Sequence, residues 1–250
     1  MSVVTDIPSV GSWLEGRAER VLVVSPHLDD AALSLADQLR GLPAHVVTVI
    51  TTADATTDPG WAQTCGFSDA FAEFAGRRAE DEAAMRAIGV PFTHAGIVSG
   101  SLTEHAAEQM INAVLTEIGE VPTLTLLPLG AGGVSGPLDR MRRRIMRTPF
   151  GSPVHPDHLW VRDHLANCLP GPVGYYAELP YHWANRRVEL AGLASSLIDG
   201  QIGQVTHEVN TDFKHETVCL YVSQVPIELG RDPAYQRKVC AADEIVFLPL

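Results

Sequence analysis

Two short motifs carry side chains able to do hydrolytic chemistry. In Ser25-Pro26-His27-Leu28-Asp29-Asp30 an imidazole and two carboxylates follow the apolar run Arg20-Val-Leu-Val-Val. His27 and Asp30 are three residues apart, near enough to bind one ion if the chain turns into a helix there. Asp29 would then point elsewhere and stay free of the metal. The competing role for both aspartates is helix capping, since Asp is a favoured N-cap and its charge suits the helix dipole. The second motif, His155-Pro156-Asp157-His158, again sets two imidazoles three apart with an acid between them. Either histidine alone would read as a solvated surface residue; His164 reads as a surface or packing residue.

Together the motifs offer two imidazoles and a carboxylate for a metal, with one carboxylate and one imidazole to spare. A three-ligand His2Asp set leaves the fourth position of Zn2+ open to water, the catalytic rather than the structural arrangement. Bound zinc brings that water toward a pKa of about 7 and polarises a carbonyl. The spare carboxylate can accept the proton, and the spare imidazole can stabilise the oxyanion or protonate the leaving amine. Fe2+ and Co2+ also suit such a site.

The elements that must position these groups follow from periodicity. Arg20–Pro26 has the length and β-branched content of a buried parallel strand, and His45–Thr51 is a second. Between them Ala31–Leu39 is helical, with Ala32, Leu35, Ala36 and Leu39 on its apolar face, so the three form a right-handed βαβ unit. Residues 52–67 read as a loop. A helix follows from about Ser68 to Ile88, with a stripe at Phe71, Ala75, Ala79 and Ala83 and Gly89 as its stop. Thr103–Ile118 is helical and Thr123–Pro128 a strand. Residues 129–156 form a Gly- and Pro-rich segment too long for an idle connection. Asp157–Cys168 and Asp212–Gln224 read as helices, Val173–Leu179 as extended, and Glu244–Leu250 as an edge strand because Pro249 cannot donate to a ladder. The pattern predicts one α/β domain, residues 1–250, with a Rossmann-like, doubly wound, mostly parallel sheet and helices on both faces. Its ligands belong beyond the carboxyl ends of the strands, where both motifs fall.

Composition narrows the partners. With 46% hydrophobic and 19% charged residues the 250-residue chain can build a core, and its net charge of −12 argues against nucleic acid and anionic membrane surfaces. No apolar run approaches the ~20 residues that span a bilayer. The start has no secretory pattern, and four scattered cysteines fit a reducing compartment, so a cytoplasmic location is expected. Whether the chain forms a homo-oligomer is left open. Arg140, Arg142, Arg143, Arg144 and Arg147 form a basic cluster that reads either as a solvated helix face or as a clamp for an anionic substrate. The run Tyr175–Trp183 offers aromatic walls for a sugar ring or, more ordinarily, core packing.

Val21-Leu-Val-Val-Ser-Pro-His-Leu-Asp-Asp and His155-Pro-Asp-His resemble the paired signatures of the LmbE/PIG-L family of zinc-dependent N-deacetylases. Arg77-Arg-Ala-Glu…Ile-Gly-Val and Lys214…Tyr221-Val-Ser-Gln224 are similar to two further motifs of that family, so the likeness runs over about residues 20–225, leaving 226–250 as an extension. The resemblance implies hydrolysis of an N-acetyl group on an amino sugar or related small conjugate. It implies His27, Asp30 and His158 as zinc ligands, Asp29 as general base and His155 as the oxyanion-side residue. It further implies Asp157 as the acid fixing the tautomer of His155, and Arg77 as a substrate contact, the alternative for Arg77 being a surface pair with Asp81. Leu28 and Ala31 depart from the family's Pro-Asp-Asp-Glu, and Pro153 stands where some relatives have tyrosine. Removal of a larger acyl group, or a non-catalytic sugar- or metal-binding role, are the competing functions.

Overall fold

A computed structural model describes residues 4–130, 155–184 and 187–250; the arginine cluster at 140–147 and Pro153 lie outside them. Eight strands, β1 (Val4–Ile7), β2 (Arg20–Ser25), β3 (Ala44–Thr52), β4 (Phe92–Val98), β5 (Thr123–Pro128), β6 (Val173–Tyr176), β7 (Ile202–His207) and β8 (Glu244–Pro249), form one sheet in the order β1-β7-β8-β6-β5-β2-β3-β4. All neighbours are parallel except β8, which runs against both β6 and β7. The helices of the described residues are α1 (Val10–Leu14), α2 (Asp30–Leu39), α3 (Gly60–Thr64), α4 (Ala70–Ile88), α5 (Glu104–Ile118), α6 (Pro156–Leu165), α7 (Arg187–Ala194), α8 (Thr211–Val218), α9 (Val225–Glu228) and α10 (Pro233–Cys240), with a 3-10 turn at Tyr181–Ala184. None is long and apolar enough to cross a membrane.

The two faces of β2 divide the core. Val21 and Val23 join Ala32, Leu35, Ala36 and Leu39 of α2, whereas Leu22 and Val24 join Met110 and Val114 of α5 and Val161 and Leu165 of α6. Alternate strand residues therefore feed opposite helical layers, as the pleat requires. All four β2 side chains are fully buried, each contributing about 1.5–3 kcal/mol. The result is a mixed, mostly parallel α/β sheet in which the carboxyl ends of β2 and β5, the motif-bearing side, are central.

Three sequence expectations change. Glu244–Pro249 is not an edge strand: β8 lies between β6 and β7, with Glu244 to Leu248 buried. Its proline is harmless because it ends the strand; the Pro249 carbonyl accepts from Trp13 Nε1 and Leu250 resumes pairing with Gln201. The stripe Phe71, Ala75, Ala79 faces outward, Phe71 being 58% exposed. The buried face of α4 is Ala70, Glu73, Phe74, Arg77, Asp81, Ala84, Met85 and Ile88, three of the eight charged. Apolar periodicity misread this helix because its inner face meets charged groups, not only core. Strands β1, β4 and β7 had no prediction; β4 carries His94 and Gly96, and β7 carries Gly203 and Gln204, which dilute the apolar signal.

Candidate metal centre and catalytic site

The chain turns sharply after β2, and its own side chains hold the turn. Ser25 Oγ donates to the His27 carbonyl and accepts from the Ala31 amide. Asp30 Oδ2 accepts the His27 N–H at 2.9 Å, tying the turn across its mouth. Asp29 occupies the N-cap position of α2 but caps nothing: it makes no side-chain cap hydrogen bond, and its φ is 143°. Among the described residues it is the only one besides glycine with positive φ. Such a conformation costs on the order of 1–3 kcal/mol and persists only where the surroundings enforce it. The capping alternative for Asp29 therefore fails, and its side chain is turned toward α4.

The second motif arrives from α6. His155 is the N-cap, followed by Pro156, whose fixed φ suits a first helical turn. One turn later His158 is 1% exposed. Its Nε2 lies 3.2 Å from Asp30 Oδ2, and His27 Nδ1 lies 3.3 Å from the same oxygen. The three rings of His27, His155 and His158 sit with centroids 4.8–5.6 Å apart. Among the described residues these histidines form a group whose ligand atoms all fall within 4.8 Å of one another.

That arrangement fits a divalent cation. Among the described residues the Nε2 of His158 is buried without a hydrogen bond, although a carboxylate oxygen stands at ion-pair distance. Imidazole nitrogens and a carboxylate oxygen converging on one point are a donor set suited to a divalent cation. Burial works against a charged His158, yet Asp30 and Glu178 raise its pKa to about 10. Asp30, despite the same burial, is held below the usual carboxylate range by His158 and His27. The site thus accumulates compensation for positive charge at the point where the ligand atoms meet.

The residues around it have roles that the sequence only partly anticipated. Asp157 Oδ2 is 2.8 Å from His27 Nε2 but 3.6 Å from His155 Nδ1. It orients His27 and does not fix His155, as expected earlier. The reason is local: His155 Nδ1 already accepts the Asp157 backbone N–H at 3.3 Å, so its proton belongs on Nε2. Burial and the neighbouring His27 lower the His155 pKa to about 4, leaving it neutral near pH 7. Arg77 does not pair with Asp81. It is 7% exposed, and its guanidinium reaches Asp29 Oδ2 at 3.4 Å, the Leu28 carbonyl at 3.3 Å and Glu73 at 3.2 Å. The group expected at the substrate is engaged behind Asp29.

Three further residues had no individual role assigned from the sequence. Glu178, just past β6, contacts His158 Nδ1 at 3.2 Å and accepts the Gly130 amide. A lone acid at the carboxyl end of an apolar strand was the available signal. Tyr181 packs edge-on against the His158 ring at 5.2 Å, so within the aromatic run this is the tyrosine that borders the site, while Tyr175 and Tyr176 are core. Glu228 of α9 had no signal at all; burial raises its pKa to about 7 in spite of Arg77. Burial and Glu228 also push the Asp29 carboxyl well above the usual range, against the pull of Arg77.

No protein-family model matches the sequence, and no curated protein does. Solved structures do match in fold. The zinc-inhibited form of teicoplanin deacetylase Orf2 superposes with a TM-score of 0.64 at 20% identity, covering 92% of this chain and 97% of that one. The A40926 pseudoaglycone deacetylase Dbv21 gives 0.63 at 22% identity over 93% and 97%. A triple mutant of the teicoplanin enzyme gives 0.64 at 21%. These structural neighbours are members of the LmbE/PIG-L family of metal-dependent deacetylases, and this chain has their fold.

Proposed function

We propose that the protein is a metal-dependent N-deacetylase that hydrolyses the acetamide of an amino-sugar conjugate. The observation that carries the reading is Asp29, a buried carboxyl held in a strained backbone conformation beside the metal-binding atoms and turned toward Arg77 instead of capping its helix. Binding alone needs no such group; hydrolysis needs a base. The fold is supported by the glycopeptide deacetylases, and their described substrates suggest an N-acylated sugar on a larger conjugate.

His27, Asp30 and His158 would hold the ion, with Zn2+ the first choice and Fe2+ or Co2+ as alternatives. The bound ion would act as a Lewis acid toward the acyl oxygen and toward water. Asp29, with its raised pKa, is suited to take the proton of the attacking water and return it to the departing nitrogen as the C–N bond breaks. Acetate and a free amine result. Neutral His155, protonated at Nε2, donates to the oxygen that gains negative charge. Asp157 keeps the His27 ring in place, the support that metal-binding imidazoles commonly receive. Arg77 holds Asp29 and the Leu28 carbonyl that precedes it.

The test combines metal analysis with turnover. Acetate release from N-acetylglucosamine and its glycosides is expected, with longer acyl chains poorer. His158→Ala should lose the ion, whereas Asp29→Asn should keep it and lose turnover. An Asp29→Asn protein as active as the wild type would sink the mechanism; faster release of longer acids than acetate would replace the acetyl group with a larger one.

A further inference from the structure

The late segment Tyr221-Val222-Ser223-Gln224 takes no part in the chemistry above, yet Tyr221 and Ser223 bond α4, the helix whose Arg77 reaches Asp29. Tyr221 Oη donates to Asp81 Oδ1 at 2.7 Å, both residues being essentially inaccessible. The other oxygen of Asp81 meets His94 Nε2 of β4 at 2.9 Å. Ser223 grips Glu80 twice, through its N–H at 3.0 Å and its Oγ at 2.8 Å. Gln224 Oε1 accepts from Trp61 Nε1 of α3 at 3.0 Å.

Glu80 and Asp81 follow Arg77 by three and four residues, so they stand on the same side of α4, one turn along. A turn gripping both therefore fixes the rotation and the axial position of α4 at the level of Arg77. The guanidinium contacts that matter are long, 3.3 Å to Leu28 O and 3.4 Å to Asp29 Oδ2. They lie at the weak end of the hydrogen-bond range, where a small slide of the helix abolishes them. Asp29 cannot compensate, because its positive φ is not a conformation that an aspartate keeps unaided.

We infer that Tyr221 and Ser223 are positioning residues for Asp29, acting through α4 and Arg77; the inference rests on the reading of Asp29 as the base. Tyr221→Phe and Ser223→Ala remove only hydroxyls, and neither residue touches the reacting groups. With p-nitrophenyl N-acetylglucosaminide as probe, each is expected to lower kcat about tenfold, as small misplacements of a catalytic group do. KM should stay within about twofold and metal content should be unchanged. In an Arg77→Met background the same changes should lower kcat no further, since the link they act through is gone. Amide exchange across residues 26–31, followed by mass spectrometry on the metal-free protein, should quicken in Tyr221→Phe. Equal fold-losses with and without Arg77, or unchanged exchange at 26–31, would overturn the inference. Asp29→Asn measured alongside separates the two levels: if it keeps its activity, the reading of the base is wrong, whereas the exchange result still judges whether Tyr221 and Ser223 hold Asp29 in place.

Discussion

Helix α2 carries a buried charge cluster at each end, and the two are built differently. At its C-terminal end Glu244 and Lys214 form an ion pair at 2.9 Å with both side chains fully buried. Glu244 also accepts the amide N–H groups of Asp37 and Gln38, at 3.1 and 2.7 Å. Asp37 in turn accepts from His207 and from the Asn210 amide. Each charge there lies against an opposite charge and the carboxylates accept backbone N–H groups, although Lys214 Nζ and Asp37 Oδ1 have ion-pair contacts without a hydrogen bond among the described residues. At the N-terminal end the carboxyl of Asp29 has like-charged neighbours in Glu228, Asp30 and Asp81, and an arginine at the limit of contact. The comparison teaches that charge which holds the fold is closed by opposite charge, whereas the carboxyl proposed as the base stands open among like charges.

The largest effect should follow from disturbing the open end. Asp29→Asn is expected to cost 10²–10⁴ in kcat, the usual value of a positioned base, with unfolding in urea changed by less than about 1 kcal/mol. Loss of stability matching the loss of activity would mean that the open cluster is architectural after all. The closed end should give the converse. Glu244→Ala strands Lys214 in the core, which costs about 3–5 kcal/mol, while kcat per folded molecule and bound metal stay at wild-type values. Replacing both partners by Met and Leu should recover most of that stability, because the pair's worth lies in mutual compensation.

Glu178 lies between these extremes, a charged residue that touches a proposed metal ligand without being one. Its contact with His158 Nδ1 orients the ring. Glu178→Gln keeps the shape and removes the charge, and should weaken metal binding about 10–100-fold with little change in unfolding of the metal-free protein. Competition with a chromogenic chelator measures it; unchanged affinity would detach Glu178 from the centre.

Much of this was legible in the chain, and the reason for the rest is physical. The His27–Asp30 and His155–His158 spacings, the β2–α2–β3 unit and the Gly89 stop, left-handed at φ 85°, are local facts that local sequence encodes. The partners that complete them are not local. Glu178, Glu228 and Glu244 meet their charges across the fold, and no spacing announces it. The inner face of α4 misled for the same reason, since Arg77 and Asp81 are buried by the groups they meet and not by their own hydropathy. Strand β8 misled because a proline at a strand's last position is compatible with the centre of a sheet.

The smallest predicted effect concerns pH, and it tests the closed end by a different route. His182 stands 6% exposed in the turn after β6. Burial lowers its pKa to about 4, and the nearby Lys214 cation adds to the shift. A folded-state pKa below the unfolded value of about 6.5 means that the unfolded chain binds the extra proton first. The contribution of the neutral ring is therefore complete above pH 6.5 and lost as the pH falls toward 4. Between pH 7 and pH 5 it should amount to about 2 kcal/mol of unfolding free energy. Asp37 stays ionised over this interval, its pKa lowered by Asn210 and His207 although burial opposes this. His182→Phe should thus flatten the pH dependence of urea unfolding without altering the bound metal. An equally steep slope in that variant would place the acid sensitivity elsewhere, among the imidazoles of the open end, and would reverse which of the two clusters is the balanced one.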